Sequence, residues 1–307
     1  MAISAVMVKM LRDKTGAGML DCKIALEETK GDTEEAEKIL RVKGLAAAAK
    51  KAGRVAAEGL IGYKVEGGTA VLVDVACESD FVAKTEKFQK MRDALTSFIF
   101  DHAALGDTAD GNVQALVAMP PPKKMPYAGA TIDESIQAFI GDLGEKTEIR
   151  RFARLVAGQG SAFTLYAHPG DKTVVVIETK GMDETLGKDL AMHVAAYAPL
   201  FVNRDGVSAK ALADEREIAR AKAVAAGKQE VVADKMVEGM IGKWYGEVVL
   251  LDQAFAKDDS KKVSQVIAER AGKEASVVRF VRFKVGEGIE KKSGGGDFAA
   301  EVAALVK

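Results

Sequence analysis

The spacing of apolar residues changes near Gly59, and this change most constrains what the chain can fold into. Before it, between residues 4 and 50, apolar side chains recur at helical spacing in three short stretches. After it, residues 60–65 follow a period of two, and Gly67-Gly68 marks a tight turn before the strand-like residues 71–75. The sequence therefore predicts a three-helix amino-terminal module followed by a core that contains strands.

The order strand, turn, strand and helix occurs twice in this core. The first copy ends in a helical stretch through Phe88. The second copy begins with residues 163–166, turns at Pro169-Gly170, continues as a strand over 174–178 and ends in a helix through Leu190. The copies share the order of elements rather than residue identity, so we expect two related α+β subdomains with antiparallel sheets.

A helical hairpin is predicted inside the second subdomain. Residues 208–226 and 229–243 read as two helices joined by Gly227-Lys228, and so short a connection favours antiparallel neighbours. Strands are expected again over 247–251 and 277–285.

The segment between the two subdomains and the carboxy-terminal tail read differently from the core. Pro120-Pro121-Pro122 excludes helix and favours an extended, mobile segment around 104–133. The tail predicts a short amphipathic helix with Phe298 on its apolar face. The predicted domains are 1–54 for the three helices, 55–150 and 151–290 for the two core subdomains, with the hairpin at about 207–243, and 291–307 for the carboxy-terminal module.

Composition excludes several classes of protein. The 307 residues carry a net charge of −1, so attraction of the whole molecule to nucleic acid should be weak. The two cysteines, Cys22 and Cys77, lack metal-ligand spacing and are expected to be reduced thiols. Neither a signal peptide nor an apolar run of about 18 residues is found, so we expect a cytoplasmic protein that does not enter a membrane.

Motifs that mark enzymes are missing from the sequence. There is no phosphate loop of the Gly-x4-Gly-Lys type, so the chain is not expected to bind GTP itself, and there is no Gly-x-Ser-x-Gly nucleophile turn. His102, His168 and His193 lie far apart and show no metal-ligand spacing. We therefore predict no catalytic residue, no metal and no cofactor.

Four segments together carry a resemblance to a known family. They are residues 15–26, residues 77–83, residues 191–196, and residues 285–291 with 297–302. In order and spacing they resemble the elongation factor Ts family along the whole chain. The resemblance implies an α+β fold with a small three-helix, UBA-like amino-terminal domain, two core subdomains, an inserted antiparallel helical hairpin and a carboxy-terminal helix.

The same resemblance implies a function. The chain is expected to be a guanine nucleotide exchange factor that binds elongation factor Tu with GDP, displaces magnesium and promotes GDP release during translation elongation. It would make no covalent bond and would not contact nucleic acid directly. A homodimer, or a heterotetramer with the GTPase, is compatible with this expectation.

Site residues follow from the resemblance by position. The segment that enters the GTPase and dislodges magnesium matches Ser79, Asp80, Phe81 and Val82. The amino-terminal face that touches the GTPase matches Arg12, Met19, Leu20 and Lys23, and further contacts match His193 and Phe298. Ser79 stands where the family often has threonine, and Ile24 where it often has lysine. Asp80 could cap a helix or act electrostatically, while Phe81 without the resemblance would read as core at a strand end.

Two other classes of function remain open at this point. Lys50, Lys51, Arg54 and Lys123-Lys124 could form a basic patch for RNA, whose affinity would then fall steeply with salt. A small-molecule enzyme would instead show a deep polar pocket with shifted titrating groups. The helical hairpin could also mediate self-association.

Overall fold

A computed structural model describes residues 3–15, 17–225 and 230–289. The amino-terminal region forms three helices, α1 (Ala5–Thr15), α2 (Met19–Glu28) and α3 (Thr33–Lys51). The carboxylate of Asp32 caps α3 by accepting hydrogen bonds from the backbone N–H groups of Glu34 and Glu35. Val8, Leu11, Cys22, Leu26 and Leu40 form most of the small core between the helices. The predicted three-helix module is confirmed, and its third helix continues through the lysines at 50 and 51.

The first core subdomain follows from the change of period. Its elements are β1 (Glu58–Glu66), β2 (Thr69–Cys77), α4 (Asp80–Ala83), α5 (Glu86–Asp101), α6 (Val113–Val117), α7 (Ile132–Leu143) and β3 (Thr147–Val156). Gly67 and Gly68 have φ angles of 56° and 77°, a region that favours glycine, and this allows the tight turn between β1 and β2. The strands form one sheet in the order β1-β2-β3.

The second core subdomain repeats this plan. Its elements are β4 (Ser161–Ala167), β5 (Thr173–Lys180), α8 (Glu184–Tyr197), α9 (Ala209–Ala225), α10 (Glu230–Val248), β6 (Ala254–Phe255), β7 (Asp258–Lys262), α11 (Val263–Ala271) and β8 (Ser276–Lys284). Strands β4 and β5 pair antiparallel, with Leu165 opposite Val176, and the sheet order is β4-β5-β8. Helices α8 and α11 cover a core that includes Val175, Ile177 and Leu190.

The helical pair α9 and α10 packs through its own apolar seam, which includes Ala223, Val237 and Ile241. The residues that connect the two helices lie outside the described chain. A mixed α+β fold with antiparallel sheets and a helical pair is thus confirmed.

Two local predictions need correction. The strand expected over 247–251 is wrong, because α10 continues to Val248 and a 3-10 turn follows at Leu250–Asp252. The segment 104–133 is not extended throughout, since α6 forms within it and Leu116 and Tyr127 are buried. Leu116 and Tyr127 lie on either side of the prolines. The proline-based prediction did not consider that their burial would hold the segment against the protein. Pro120-Pro121-Pro122 itself is non-helical, as expected.

Contacts between Cα atoms group the chain into two compact units. The first contains the chain up to Gly62, Val73–Phe152 and the part from Lys284, and the second contains Tyr63–Leu72 and Ala153–Phe283. The predicted division into four domains stays a prediction. Within the described ranges, no helix is long and apolar enough to cross a membrane.

Candidate partner-binding site

The corner formed by residues 79–83 projects an aromatic ring from a fixed base. Strand β2 ends at Cys77, and Ser79 adopts an extended conformation that turns the chain into the single turn of α4. Val82 and Ala83 are buried, whereas Phe81 between Asp80 and Val82 is 79% exposed. The alternative that Phe81 is simply core at the end of a strand does not describe this arrangement.

Asp80 does not cap α4. The hydroxyl oxygen of Ser79 takes that position and accepts a hydrogen bond from the backbone N–H of Val82 at 3.4 Å. Asp80 is the first residue of the helix, and its carboxylate forms an ion pair with the Lys84 ammonium at 2.7 Å. A half-exposed charge in such a pair can exchange partners at little cost. The side chain is therefore available for electrostatic contact.

Two glutamates that the sequence analysis missed hold this corner. Glu145, between α7 and β3, accepts hydrogen bonds from both the backbone N–H and the hydroxyl of Ser79. Glu78 accepts from the backbone N–H of Lys146 and forms an ion pair with Arg54. No local sequence signal points to Glu145, because it lies 66 positions after Ser79 in the chain.

The predicted amino-terminal contact residues are all exposed. Arg12 lies near the end of α1, and Met19, Leu20 and Lys23 lie in the first half of α2. Leu20 is 69% exposed and Met19 is 46% exposed, so two adjacent apolar side chains at the start of α2 reach solvent. The structure adds Val6 and Met10, which are exposed at helical spacing on one face of α1 and were not predicted.

His193, in contrast, is fully buried in α8. Its Nε2 atom is 2.9 Å from Oε1 of Gln253, and its Nδ1 atom accepts a hydrogen bond from the backbone N–H of Ala256 at 3.1 Å. Burial lowers the pKa of this imidazole below its usual value. The ring therefore presents no surface to a partner in this conformation.

The side chain of Tyr197, unlike that of His193, is exposed to solvent. The two rings stack with centroids 4.8 Å apart and planes at 7°, and Tyr197 is 52% exposed. Leu200 follows as another exposed apolar side chain. A partner contact at the end of α8 would thus be made through Tyr197, with His193 beneath it. Phe298, the remaining predicted contact, lies outside the described residues.

The structure gives little support to the two alternative functions. Arg54 and Lys51, two of the basic residues considered for RNA, bind Glu78 and the backbone carbonyl of Ile140. A cavity of about 390 Å³ lies beside α3 and α7. Charged side chains that line it pair with one another, as in the ion pair between Lys14 and Glu37. Across residues 3–15, 17–225 and 230–289, no cluster of three His, Cys, Asp or Glu side chains could hold a metal ion.

An α+β scaffold that projects apolar side chains from a clamped corner and from a small helical module defines a protein that acts by binding another protein. Comparison with known proteins specifies the family. The family model described as "Elongation factor TS" matches residues 78–287, more than half of the chain. The chain is 44% identical over 316 aligned residues to "Elongation factor Ts" of Syntrophotalea carbinolica, with all of both chains covered. It is 45% identical over 309 aligned residues to the protein of that name from Methylococcus capsulatus, with all of this chain and 99% of the relative covered.

The chain belongs to the elongation factor Ts family. As a member, it is a nucleotide exchange factor for elongation factor Tu in translation elongation and is not an enzyme. Translation elongation is a cytoplasmic process, so membership agrees with the location expected from the sequence.

Proposed function

We propose that this chain releases GDP from elongation factor Tu by inserting the ring of Phe81 beside the nucleotide site and displacing the bound magnesium. The observation that carries the proposal is the exposure of Phe81 between Ser79, which caps α4, and the buried Val82. A rigid aromatic ring that is held out from the surface can fill a pocket in a partner with little loss of conformational freedom.

The thermodynamic requirement is a difference in affinity. An exchange factor weakens nucleotide binding only if it binds the empty GTPase more tightly than the loaded one. Each factor of ten in that difference corresponds to about 1.4 kcal/mol. The coupling is reciprocal, so nucleotide added back must weaken the binding of this chain by the same factor.

Asp80 would act on the magnesium. A magnesium ion bound beside phosphates is often the largest local charge at such a site, so its loss would weaken phosphate binding sharply. A carboxylate beside Phe81 can compete with the groups that hold the cation. The ion pair of Asp80 with Lys84 is half-exposed and would open without a large desolvation cost.

Two further surfaces would dock the partner without acting on the nucleotide. One is the exposed amino-terminal set Arg12, Met19, Leu20 and Lys23. The other is the end of α8, where Tyr197 is exposed over His193. One copy of each protein suffices for this mechanism; the homodimer and the heterotetramer with the GTPase stay predictions that light scattering of the mixed proteins would test.

The experiment is the release of a fluorescent GDP analogue from purified elongation factor Tu. We expect Phe81→Ala to slow release about ten-fold at saturating factor, because an anchor of this kind contributes more than 1 kcal/mol. Val278→Ala, which shortens another exposed apolar side chain, is the control and should keep the native rate. An unchanged rate with Phe81→Ala would contradict the proposal.

A further inference from the structure

We propose that Glu145 is a positioning residue for exchange, which acts by fixing the direction in which Phe81 projects. The proposal rests on the function proposed for Phe81. It assigns a role to a side chain that lies in the turn between α7 and β3 and that no local sequence pattern singles out.

Both oxygens of the Glu145 carboxylate bind the same residue. Oε2 accepts a hydrogen bond from the backbone N–H of Ser79 at 2.9 Å, and Oε1 accepts one from its hydroxyl at 2.6 Å. The turn that carries Glu145 is itself fixed, because Gly144 ends α7 in the left-handed conformation and donates its N–H to Ile140. A two-point contact from a fixed turn restrains both the position and the orientation of Ser79.

The hydroxyl of Ser79 passes this restraint on to the helix. A carboxylate can only accept, so the hydroxyl must donate its single hydrogen to Glu145. The lone pairs of the oxygen are then left for the backbone N–H of Val82, which lies 3.4 Å away. Carboxylate, hydroxyl and amide thus form one chain of hydrogen bonds that spans Phe81.

A second contact joins the same two segments in the opposite sense. Glu78, next to Ser79, accepts a hydrogen bond at 2.6 Å from the backbone N–H of Lys146, next to Glu145. Each segment therefore supplies one carboxylate to the backbone of the other. We call these four residues, 78, 79, 145 and 146, the carboxylate clamp.

The clamp matters for exchange because α4 cannot orient itself. It contains four residues, and a single helical turn has too few internal hydrogen bonds to be stable alone. Phe81 is bounded by the clamped Ser79 on one side and by the buried Val82 and Ala83 on the other. If Ser79 lost its contact with Glu145, the ring of Phe81 would stay exposed but its direction would vary. Only a fraction of the molecules would then present the ring correctly.

The test separates positioning from folding by measuring two kinetic quantities. GDP release from elongation factor Tu is followed over a range of factor concentrations, which gives a maximal rate and a half-saturating concentration. We expect Glu145→Ala to lower the maximal rate about five-fold, with a smaller change in half-saturation, because docking surfaces elsewhere are intact. Glu145→Gln keeps one acceptor and should recover part of the rate.

Two controls accompany these variants. Glu148→Ala removes a nearby carboxylate that pairs with the Lys146 ammonium rather than with Ser79, and it should leave the maximal rate unchanged. Glu66→Ala removes an exposed carboxylate that pairs with the Lys64 ammonium, and it should also leave the maximal rate unchanged. If Glu145→Ala fails to show a cooperative thermal transition, Glu145→Gln and Ser79→Ala take its place.

The decisive comparison is made in a Phe81→Ala background. If Glu145 acts through the ring, Glu145→Ala has no further effect once the ring is gone. An equal fall in maximal rate in both backgrounds would overturn the proposal, as would a native rate for Glu145→Ala beside a reduced rate for Phe81→Ala. A native rate for Phe81→Ala alone would instead remove the proposed function of the corner.

Discussion

The two core subdomains share the order of strand and helix, but the chain leaves the strand differently in each. After β2, Ser79 caps the single turn of α4, and Thr85 then caps the longer α5. After β5, Asp183 caps α8 directly, and the apolar residue before it, Met182, packs against the core of its subdomain. The first junction therefore contains an additional helical turn, and this turn holds Phe81 in solvent.

The difference separates a stabilising junction from one that serves binding. Packing an apolar side chain against a core contributes to folding in proportion to the area removed from water. Met182 makes that contribution, whereas Phe81 does not, and the carboxylates of Glu78 and Glu145 hold the exposed turn instead. A side chain that is exposed at a stability cost and also fixed in place is suited to contacts with a partner.

The largest effect is expected inside the second subdomain, where His193→Leu should lower the free energy of unfolding by about 2–4 kcal/mol. Leucine would leave both the backbone N–H of Ala256 and the side-chain amide oxygen Oε1 of Gln253 without their partner. Urea unfolding measures the loss, and His168→Leu at an exposed histidine is the control. Native stability together with a reduced exchange rate would show that His193 meets the partner directly.

The next effect is a crossed pair of substitutions. Phe81→Ala should lower the exchange rate about ten-fold and leave the unfolding free energy within about 0.5 kcal/mol of the native value. Met182→Ala should cost about 1–2 kcal/mol of stability and leave the maximal exchange rate unchanged, because Met182 is partly buried. If both substitutions lower only the stability, or both lower only the exchange rate, the proposed difference between the junctions is wrong.

Local patterns were enough to predict most of the helices and strands. The helical spacing before Gly59 and the Gly67-Gly68 turn depend on neighbours in sequence, and both predictions are confirmed. The burial of Leu116 and Tyr127 was not predictable in this way, because it depends on tertiary packing, such as the contacts of Tyr127 with Phe139 and Asp142 on α7. Propensity alone gave no reason for the proline-rich segment to pack.

Local sequence patterns were not enough to predict the residues of the binding site. Its position at the end of a strand alone places Phe81 in the core, and only the family resemblance identified it as a partner contact. The same resemblance selected His193, which the structure buries, because a matching position does not specify which side of a helix the side chain occupies. Glu145 escaped both approaches, since its contact with Ser79 exists only after the chain has folded.

Asp80→Asn should have a smaller effect, a fall of about five-fold in the exchange rate. Asparagine keeps the shape of the side chain and removes the charge that would compete with the magnesium-binding groups for the cation. The effect should therefore shrink when release is measured without free magnesium. Lys84→Gln, which removes the partner of Asp80, is the control for loss of the ion pair alone. A magnesium-independent effect would assign Asp80 a purely steric role.

The smallest expected effect is on the pH dependence of stability, and it should arise from His193 in α8 of the second subdomain. Burial lowers the pKa of His193 below 6.5, so just below that pH the unfolded chain binds more protons than the folded chain. Stability from this residue should fall as pH decreases from 7 to 6, by at most about 0.7 kcal/mol. At the first junction, burial raises the pKa of the Cys77 thiol to about 12, so this group stays protonated throughout the range. Urea unfolding at pH 7 and pH 6 gives the change in unfolding free energy for the native chain and for His193→Gln. An identical change in both proteins would show that the imidazole is not buried in solution.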